Sequence, residues 1–330
     1  MSADPASATD GGTPPLAHAG TCAIVGLPNV GKSTLLNRIL GRHLVAVSPR
    51  PQTTRNRILG IHRTQVATLT PSAVELCFID TPGIQRGKGA LRRFMRDQAL
   101  GAVSDSDVTL LVIDAADRRG RDPARLAEPD AADLAEAATG QAVIVALNKI
   151  DRVTKPDLLP LMSAWHEWGQ ARRPGESTDV VPIAGKLGDG VEELVAIIAG
   201  KLPIGPLAFP ADMVTDRAEA FLAAELIREQ LYHQLGQELP YAAGVIIETF
   251  EERERGDLAL GAAIVVERES QKAIVIGRGG ARIKELGIAA RAVLTELFGC
   301  PVHLSLFVKV VPDWTQGDAG LRRLGYGAEL

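Results

Sequence analysis

The chain has 330 residues, 46% of them apolar, and a net charge of −4, a length that favours two domains with substantial cores over one. That charge excludes a protein that coats nucleic acid nonspecifically over its whole surface, and no run of roughly 18 uncharged apolar residues is present to span a membrane. Cys22, Cys77 and Cys300 lie far apart without Cys-x-x-Cys spacing and read as small buried hydrophobes in a reducing cytoplasm.

The opening MSADPASATDGGTPPLAHAG lacks a basic start and an apolar stretch, so residues 1–19 are expected to be a disordered extension and not a secretory signal. From about residue 20 to 201, apolar runs rich in Val and Ile (TCAIVGL, VELCFID, VTLLVID, AVIVALNKI, VVPIAG) alternate with helical patterns. Such alternation predicts a doubly wound, mostly parallel α/β sheet. The segment 202–210, LPIGPLAFP, carries three prolines and one glycine and is expected to be a linker. Residues 211–330 then read as a second, α+β unit. A helix over RAEAFLAAELIREQLYHQL precedes two strands, YAAGVIIETFEE and LALGAAIVVERES, joined across RERGD. In RIKELGIAARAVLTELF, one helical face collects Ile283, Leu286, Ala290, Val293, Leu294 and Leu297. VHLSLFVKVV is a final strand, and KAIVIG taken by propensity alone is another.

Between the first strand and the first helix stands GLPNVGKS, a G-x-x-x-x-G-K-[ST] loop in the strand-loop-helix context that this motif requires. Gly26 and Gly31 free the backbone to turn N–H groups toward phosphate, and Lys32 adds a full positive charge at the helix start. Ser33 is expected to ligand Mg²⁺. DTPG at 80–83 ends a strand, placing Asp80 near the metal and the Gly83 amide at a γ-phosphate. NKID at 148–151 ends another. The Asp151 carboxylate can accept from guanine N1–H and the 2-amino group, whereas adenine would leave it unpaired, so GTP is favoured over ATP. Three such motifs in this order describe a GTPase. In the polar stretch SPRPQTTRNRI, a threonine is expected to complete the metal shell, Thr54 first and Thr53 as the alternative. Ile84 follows DTPG, and an aliphatic group cannot orient the attacking water; Gln85 stands one residue too late. Asn29 is therefore a candidate for holding K⁺ near the β,γ-bridge. The expected catalytic set is Lys32, Asn29, Thr54, Asp80 and Gly83. The expected nucleotide contacts are Gly26, Asn29, Val30, Gly31, Lys32, Ser33, Thr34, Asn148, Lys149, Asp151, Ala184, Gly185 and Lys186.

GLPNVGKSTLLNRILG, RPQTTRNRILGI, FIDTPGI and ALNKID, with IVVERESQKAIVIGRGGARIKELGIAAR and the tail LRRLGYGAEL, closely resemble the Era family of bacterial GTPases. The resemblance covers nearly everything after residue 20. It implies a P-loop GTPase domain followed by a type II KH domain, binding to the 3′ end of small-subunit ribosomal RNA, and a role in assembly of the small ribosomal subunit. It also turns KAIVIG into a short helix ahead of the loop GRGG at 277–280. In a KH domain that loop clamps about four nucleotides, and its glycines admit an RNA backbone while nearby cations attract phosphates. Gly277, Arg278, Gly279, Gly280, Arg282, Lys284 and Arg291 are the expected RNA contacts. One departure is AGKLG where the family usually has Ser-Ala-x-x-G. Ala184 removes a hydroxyl that supports the last guanine loop, while the Gly185 amide is expected to meet guanine O6. A monomer in the cytoplasm is expected. Peripheral contact with the inner face of the membrane is suggested by relatives, without a visible anchor here. Two alternatives stay open: a constitutive RNA-binding module with structural GTP, and a related GTPase acting on tRNA.

Overall fold

The computed structural model describes residues 16–84, 89–128, 132–137, 142–236 and 239–326. In chain order the first unit contains β1 (Leu16–Val25), α1 (Lys32–Leu40), β2 (Ile58–Gln65), β3 (Ala73–Asp80), α2 (Ala90–Ser104), β4 (Val108–Asp114), α3 (Ala132–Ala137), β5 (Ala142–Asn148), α4 (Lys155–Arg172), β6 (Asp179–Pro182), α5 (Val191–Ala199) and β7 (Ile204–Pro206). The second holds α6 (Glu219–Gln234), β8 (Gly244–Glu252), β9 (Leu258–Val266), α7 (Glu269–Ile276), α8 (Ala281–Phe298), β10 (Val302–Val310) and α9 (Asp318–Arg323).

Strands β3, β1, β4, β5 and β6 pair in parallel in that spatial order. Their continuous apolar runs are buried on both faces, as a sheet covered by helices on each side requires. Because all five run the same way, the loops that leave β1, β3, β5 and β6 open at one edge of the sheet, where α/β folds place their ligands. Two strands lie outside the expected pattern. Antiparallel β2 extends the edge beside β3, and β7 pairs antiparallel with the first residues of β1, Leu16 to His18.

Those pairings correct two expectations. Residues 16–19 belong to β1 and not to an extension, because β7 and β3 supply partners for their backbone; residues 1–15 lie outside the described residues. The segment 202–210 is not a free linker. It contributes β7, and the stretch from Ala208 to Met213 is fastened to the sheet by two side chains: Arg63 donates to Phe209 O, Ala211 O and Met213 O, while Ala208 N donates to Glu75 Oε1.

In the second unit β9 is central, parallel to β10 and antiparallel to β8. Leu286, Ala290 and Leu294 of α8 are buried in one cluster with α6 and the sheet, and Ile283, Val293 and Leu297 pack at its margin. The helical face read from the sequence is thus the one that packs. KAIVI is helical, within α7, with Gly277 as its cap, and β9 stops at Val266, short of the strand LALGAAIVVERES expected from sequence. An apolar run of this length is ambiguous by pattern; here Gln271 Oε1 accepts from the Glu267 and Arg268 amides and fixes the helix start.

Candidate nucleotide-binding site and its seam with the second unit

The loop after β1 is shaped by close approaches. A Cβ on Gly26 would lie 2.5 Å from Val112 O, and one on Gly31 would lie 2.4 Å from Asn148 Nδ2. Gly31 also has φ 101°, and Asn29 takes the left-handed φ of 64° that asparagine tolerates. Lys32 is 6% exposed, with Nζ donating to Gly26 O at 3.2 Å and Leu27 O at 3.1 Å. Burial pulls its pKa down to about 8, against the opposing attraction of Asp80. Burial likewise raises the Asp80 pKa, opposed by Lys32 and by hydrogen bonds from Ser33 and Thr54.

Three side chains meet at one point. Ser33 Oγ donates to Asp80 Oδ2 at 2.8 Å, Thr54 Oγ1 donates to the same oxygen at 3.1 Å, and the two hydroxyls lie 2.9 Å apart. Asp80 Oδ1 is buried without a hydrogen-bond partner among the described residues. Hard oxygens converging beside an unsatisfied carboxylate oxygen are the donor chemistry that Mg²⁺ takes. Between the two threonines of the loop, Thr53 is otherwise engaged: its hydroxyl lies 2.6 Å from Ser48 Oγ and donates to Arg50 O.

Gly83 faces the loop so closely that a Cβ would sit 2.8 Å from Pro28 Cα. Ile84 is 1% exposed and its amide donates to Gly26 O, so its side chain belongs to the core; Gln85 lies outside the described residues. Asn148 ties three loops together. Its Nδ2 donates to Val30 O at 2.8 Å, and its Oδ1 accepts from Lys149 N at 2.8 Å and Gly185 N at 2.9 Å. Gly185, expected to turn its amide to guanine O6, donates it here to Asn148. Lys149, at φ 66°, donates through Nζ to Asn29 O and pairs with Asp114 at 2.6 Å. Asp151 is exposed in a turn of 3₁₀ helix. Ala184 is held by its backbone: N donates to Asp189 O, while its O accepts from Leu187 N and Gly188 N. Asn29, Gly31, Lys32, Ser33, Thr34 and Lys186 line one cavity of about 450 Å³.

The segment 52–55 also meets the second unit, which sequence reading missed. Gln52 O accepts from Tyr232 Oη, Thr53 O accepts from Arg228, and Arg55 is 0% exposed. The Arg55 guanidinium donates to Ala243 O at 2.9 Å, Tyr241 O at 3.1 Å, Tyr232 Oη at 3.1 Å and Tyr326 Oη at 3.2 Å. Beside this seam Glu229 of α6 accepts from Val47 N and meets His43 Nε2 at 3.1 Å. Ala90, Leu91 and Met95 of α2 pack with Trp314, Leu321 and Tyr326. Nothing local in TTRNR marks which cation is buried; the signal is the aromatic pair Trp314 and Tyr326 far downstream.

Around the second glycine loop, Gly277, Gly279 and Gly280 have φ of 74°, 58° and 77°. Arg278, Arg282, Lys284 and Arg291 are all exposed; Arg282 also donates to Ile274 O and lines a cavity between the two units.

Two family models match, a 50S ribosome-binding GTPase over residues 21–149 and a KH domain over residues 238–315. The chain is 42% identical over 311 residues to GTPase Era of Geobacter sp. (strain M21), covering 94% of this chain and 98% of the relative. It is 44% identical over 311 residues to GTPase Era of Pseudomonas syringae pv. syringae (strain B728a), covering 93% and 96%. Among solved structures, Aquifex aeolicus Era (a variant bound to GDP·AlF₄⁻) superposes with a TM-score of 0.82 at 37% identity, covering 93% of this chain and 99% of that one. Era in complex with MgGDPNP and nucleotides 1506–1542 of 16S ribosomal RNA gives 0.81 at 36% identity, covering 93% and 98%. On a P-loop domain, a KH domain and this length of similarity, the chain belongs to the Era family of GTPases.

Proposed function

We propose that the protein is a GTP-binding and GTP-hydrolysing switch that grips the 3′ end of small-subunit ribosomal RNA through its KH domain and acts in small-subunit assembly. One observation carries the switch: consecutive residues of a single loop serve both halves of the molecule. Thr54 turns its hydroxyl to Ser33 and Asp80, while Thr53 O and the Arg55 guanidinium are bound by the second unit. A change at the nucleotide therefore has a short, packed route to the KH domain. The RNA half of the reading is supported by the KH match and by the related Era complex with 16S ribosomal RNA nucleotides.

In this reading Gly26, Val30, Gly31 and Thr34 present backbone N–H groups to the phosphates, and Lys32 supplies charge from a buried position where it is weakly screened. Ser33, Thr54 and Asp80 would hold Mg²⁺, which would neutralise charge on the phosphate oxygens. Gly83 brings its amide to the γ-phosphate, and Asp151 selects guanine while Lys149 and Asn148 fix the geometry of the loops around it. Lys186, Ala184 and Gly185 close the base side. With Ile84 in the core, Asn29 would hold K⁺, which would supply positive charge during hydrolysis; faster hydrolysis in K⁺ than in Na⁺, abolished in Asn29→Ala, checks that role. Gly277, Arg278, Gly279, Gly280, Arg282, Lys284 and Arg291 contact the RNA. The division into a GTPase domain that ends with β7, a connector from there to residue 210 and a KH domain beyond, the monomeric state, and a cytoplasmic location with peripheral contact at the inner membrane face belong to the same proposal. No helix among the described residues is long and apolar enough to cross a membrane.

The test is crosslinking of RNA to the purified protein with and without a GTP analogue, with sequencing of the bound RNA, alongside equilibrium affinities in the GTP-analogue and GDP states. Linkage requires the ratio of RNA affinities to equal the ratio of nucleotide affinities with and without RNA. Equal RNA affinities in both states would leave a constitutive tether and overturn the switch.

A further inference from the structure

A cavity of about 930 Å³, distinct from the nucleotide pocket, lies in the cleft between the two units. Arg92 of α2 reaches it from the first unit, and Arg268 and Arg282 reach it from the second. Among the lining residues these three cations face a single carboxylate, Glu267. Glu267, also in the wall, accepts from the Thr315 hydroxyl at 2.6 Å and from its amide. Arg96, one helical turn after Arg92, shows the contrast: it is spent on Asp133 at 2.7 Å, whereas Arg92 is exposed and makes no ion pair among the described residues. Guanidinium groups gathered from both sides of a cleft repel unless an anion lies between them.

The neighbours of these arginines say which anion. Arg282 sits in the first turn of α8, just past the GRGG loop and Ala281, and packs beneath the loop, since a Cβ on Gly277 would lie 2.7 Å from Arg282 Cβ. A strand held at that loop thus meets Arg282 as it leaves. The second unit's side of the cleft offers Tyr241 and Ile274, the latter 47% exposed, as surfaces for base faces. Phosphate-binding cations interleaved with aromatic and apolar platforms are the chemistry of single-stranded nucleic acid sites, and a duplex would not present its base faces. We infer that the interdomain cleft is a second RNA subsite, in which the single strand clamped by the KH loop continues across the seam and places a phosphate on Arg92 of the GTPase domain. The inference rests on the RNA-binding reading of the KH domain. It adds that RNA touches the GTPase domain itself, because Pro51 and Gln52, just before Thr54, and Gly89, Leu91 and Arg92 form the opposite wall.

The experiment uses the full chain, with oligoribonucleotides of 4 to 12 nucleotides from the 3′-terminal region of small-subunit ribosomal RNA, and compares the parent with Arg92→Ala and Arg92→Lys. Arg92 is exposed, so folding is not at stake. In the parent, affinity should keep rising beyond the roughly four nucleotides that a KH loop clamps. Arg92→Ala should lose about tenfold on the longest probe and nothing on the shortest, with the salt slope reduced by about 0.7 to 1; Arg92→Lys should restore most of the slope. A 4-thiouridine placed outside the clamped segment should crosslink to an α2 peptide. The subsite is overturned if Arg92→Ala binds every probe as the parent does, with the same salt slope. A parent that binds no probe of any length would instead remove the KH reading on which the subsite depends.

Discussion

The two glycine loops look alike in sequence and are built on different physics. In the first, glycine is demanded twice. Gly31 has a positive φ and no room for a Cβ, with Asn148 at 2.4 Å, and Gly26 is pressed against Val112 O. In the second, Gly279 and Gly280 have positive φ but nothing within 4 Å of a built Cβ. The nucleotide loop is thus part of a packed core, whereas the KH loop keeps its space open outward, toward whatever it clamps. Glycine in one place closes the structure, and in the other it keeps a surface bare.

The largest effect should come from breaking the first loop. Gly31→Ala pushes a methyl into Asn148, which holds Val30 O, Lys149 and Gly185 together, so the loops that form the pocket move with it. Loss of nucleotide affinity by at least about a hundredfold is expected, from strain combined with overpacking. Fluorescent GDP titration checks it; a change below about fivefold would show that Asn148 yields cheaply.

Next comes the element that joins the two regions. Arg55→Ala leaves Tyr232 Oη, Tyr326 Oη and two carbonyls at the seam without their donor and opens a buried cavity. A loss of about 3 to 5 kcal/mol in stability is expected. Arg55→Lys should retain part of it, since a single ammonium cannot reproduce the planar fork. Loss of stability alone would describe a structural residue. The distinguishing readout is the ratio of RNA affinities in the GTP-analogue and GDP states, which should collapse toward one in the lysine variant while RNA binding itself persists.

Much of this was legible in the sequence, and the reasons are local. GLPNVGKS, DTPG and NKID each sit at a strand end, so period and motif agree, and the β3–β1–β4–β5–β6 sheet results. Thr54 stood ahead of Thr53 in the sequence, but the turn at Ser48 and Arg50 that engages the Thr53 hydroxyl could not be read there. Arg55 was invisible for a different reason. Its acceptors lie at least 177 residues away in sequence, and a cation in a polar loop normally reads as solvated. The bond from Gly185 N to Asn148 was hidden likewise, since a backbone amide has no sequence signature. β7 was masked by the prolines around it, which mark edges as readily as linkers.

A milder substitution sharpens the contrast between the loops. Gly279→Ala meets no atom within 4 Å, so only the left-handed backbone resists it. That cost is about 1 kcal/mol of stability, with nucleotide affinity unchanged. The methyl now occupies the face kept bare for an RNA backbone, and RNA affinity should fall about tenfold. Parallel titrations of GDP and RNA check both arms, and an RNA affinity equal to the parent's would mean that the strand does not approach this residue.

The smallest expected effect lies at the seam and depends on pH. His43, between α1 and β2, is half-buried against Glu229 of α6, with Glu296 of α8 also facing it, and the hydrogen bond to Glu229 raises its pKa from the ordinary value of 6.5. The folded-state pKa therefore exceeds that of the unfolded chain. The stabilisation is complete below about 6.5 and is lost as the pH rises through the raised value. Partial exposure and screening limit it to about 0.5 kcal/mol. His43→Gln should accordingly lower the melting temperature slightly more at pH 6 than at pH 9. Because Glu229 also accepts from Val47 N in the loop leading to Thr54, the same variant reports whether protonation at the seam is felt at the nucleotide. A GDP affinity that changes with pH in the parent but not in the variant would show that it is, and identical profiles would confine His43 to holding the two domains together.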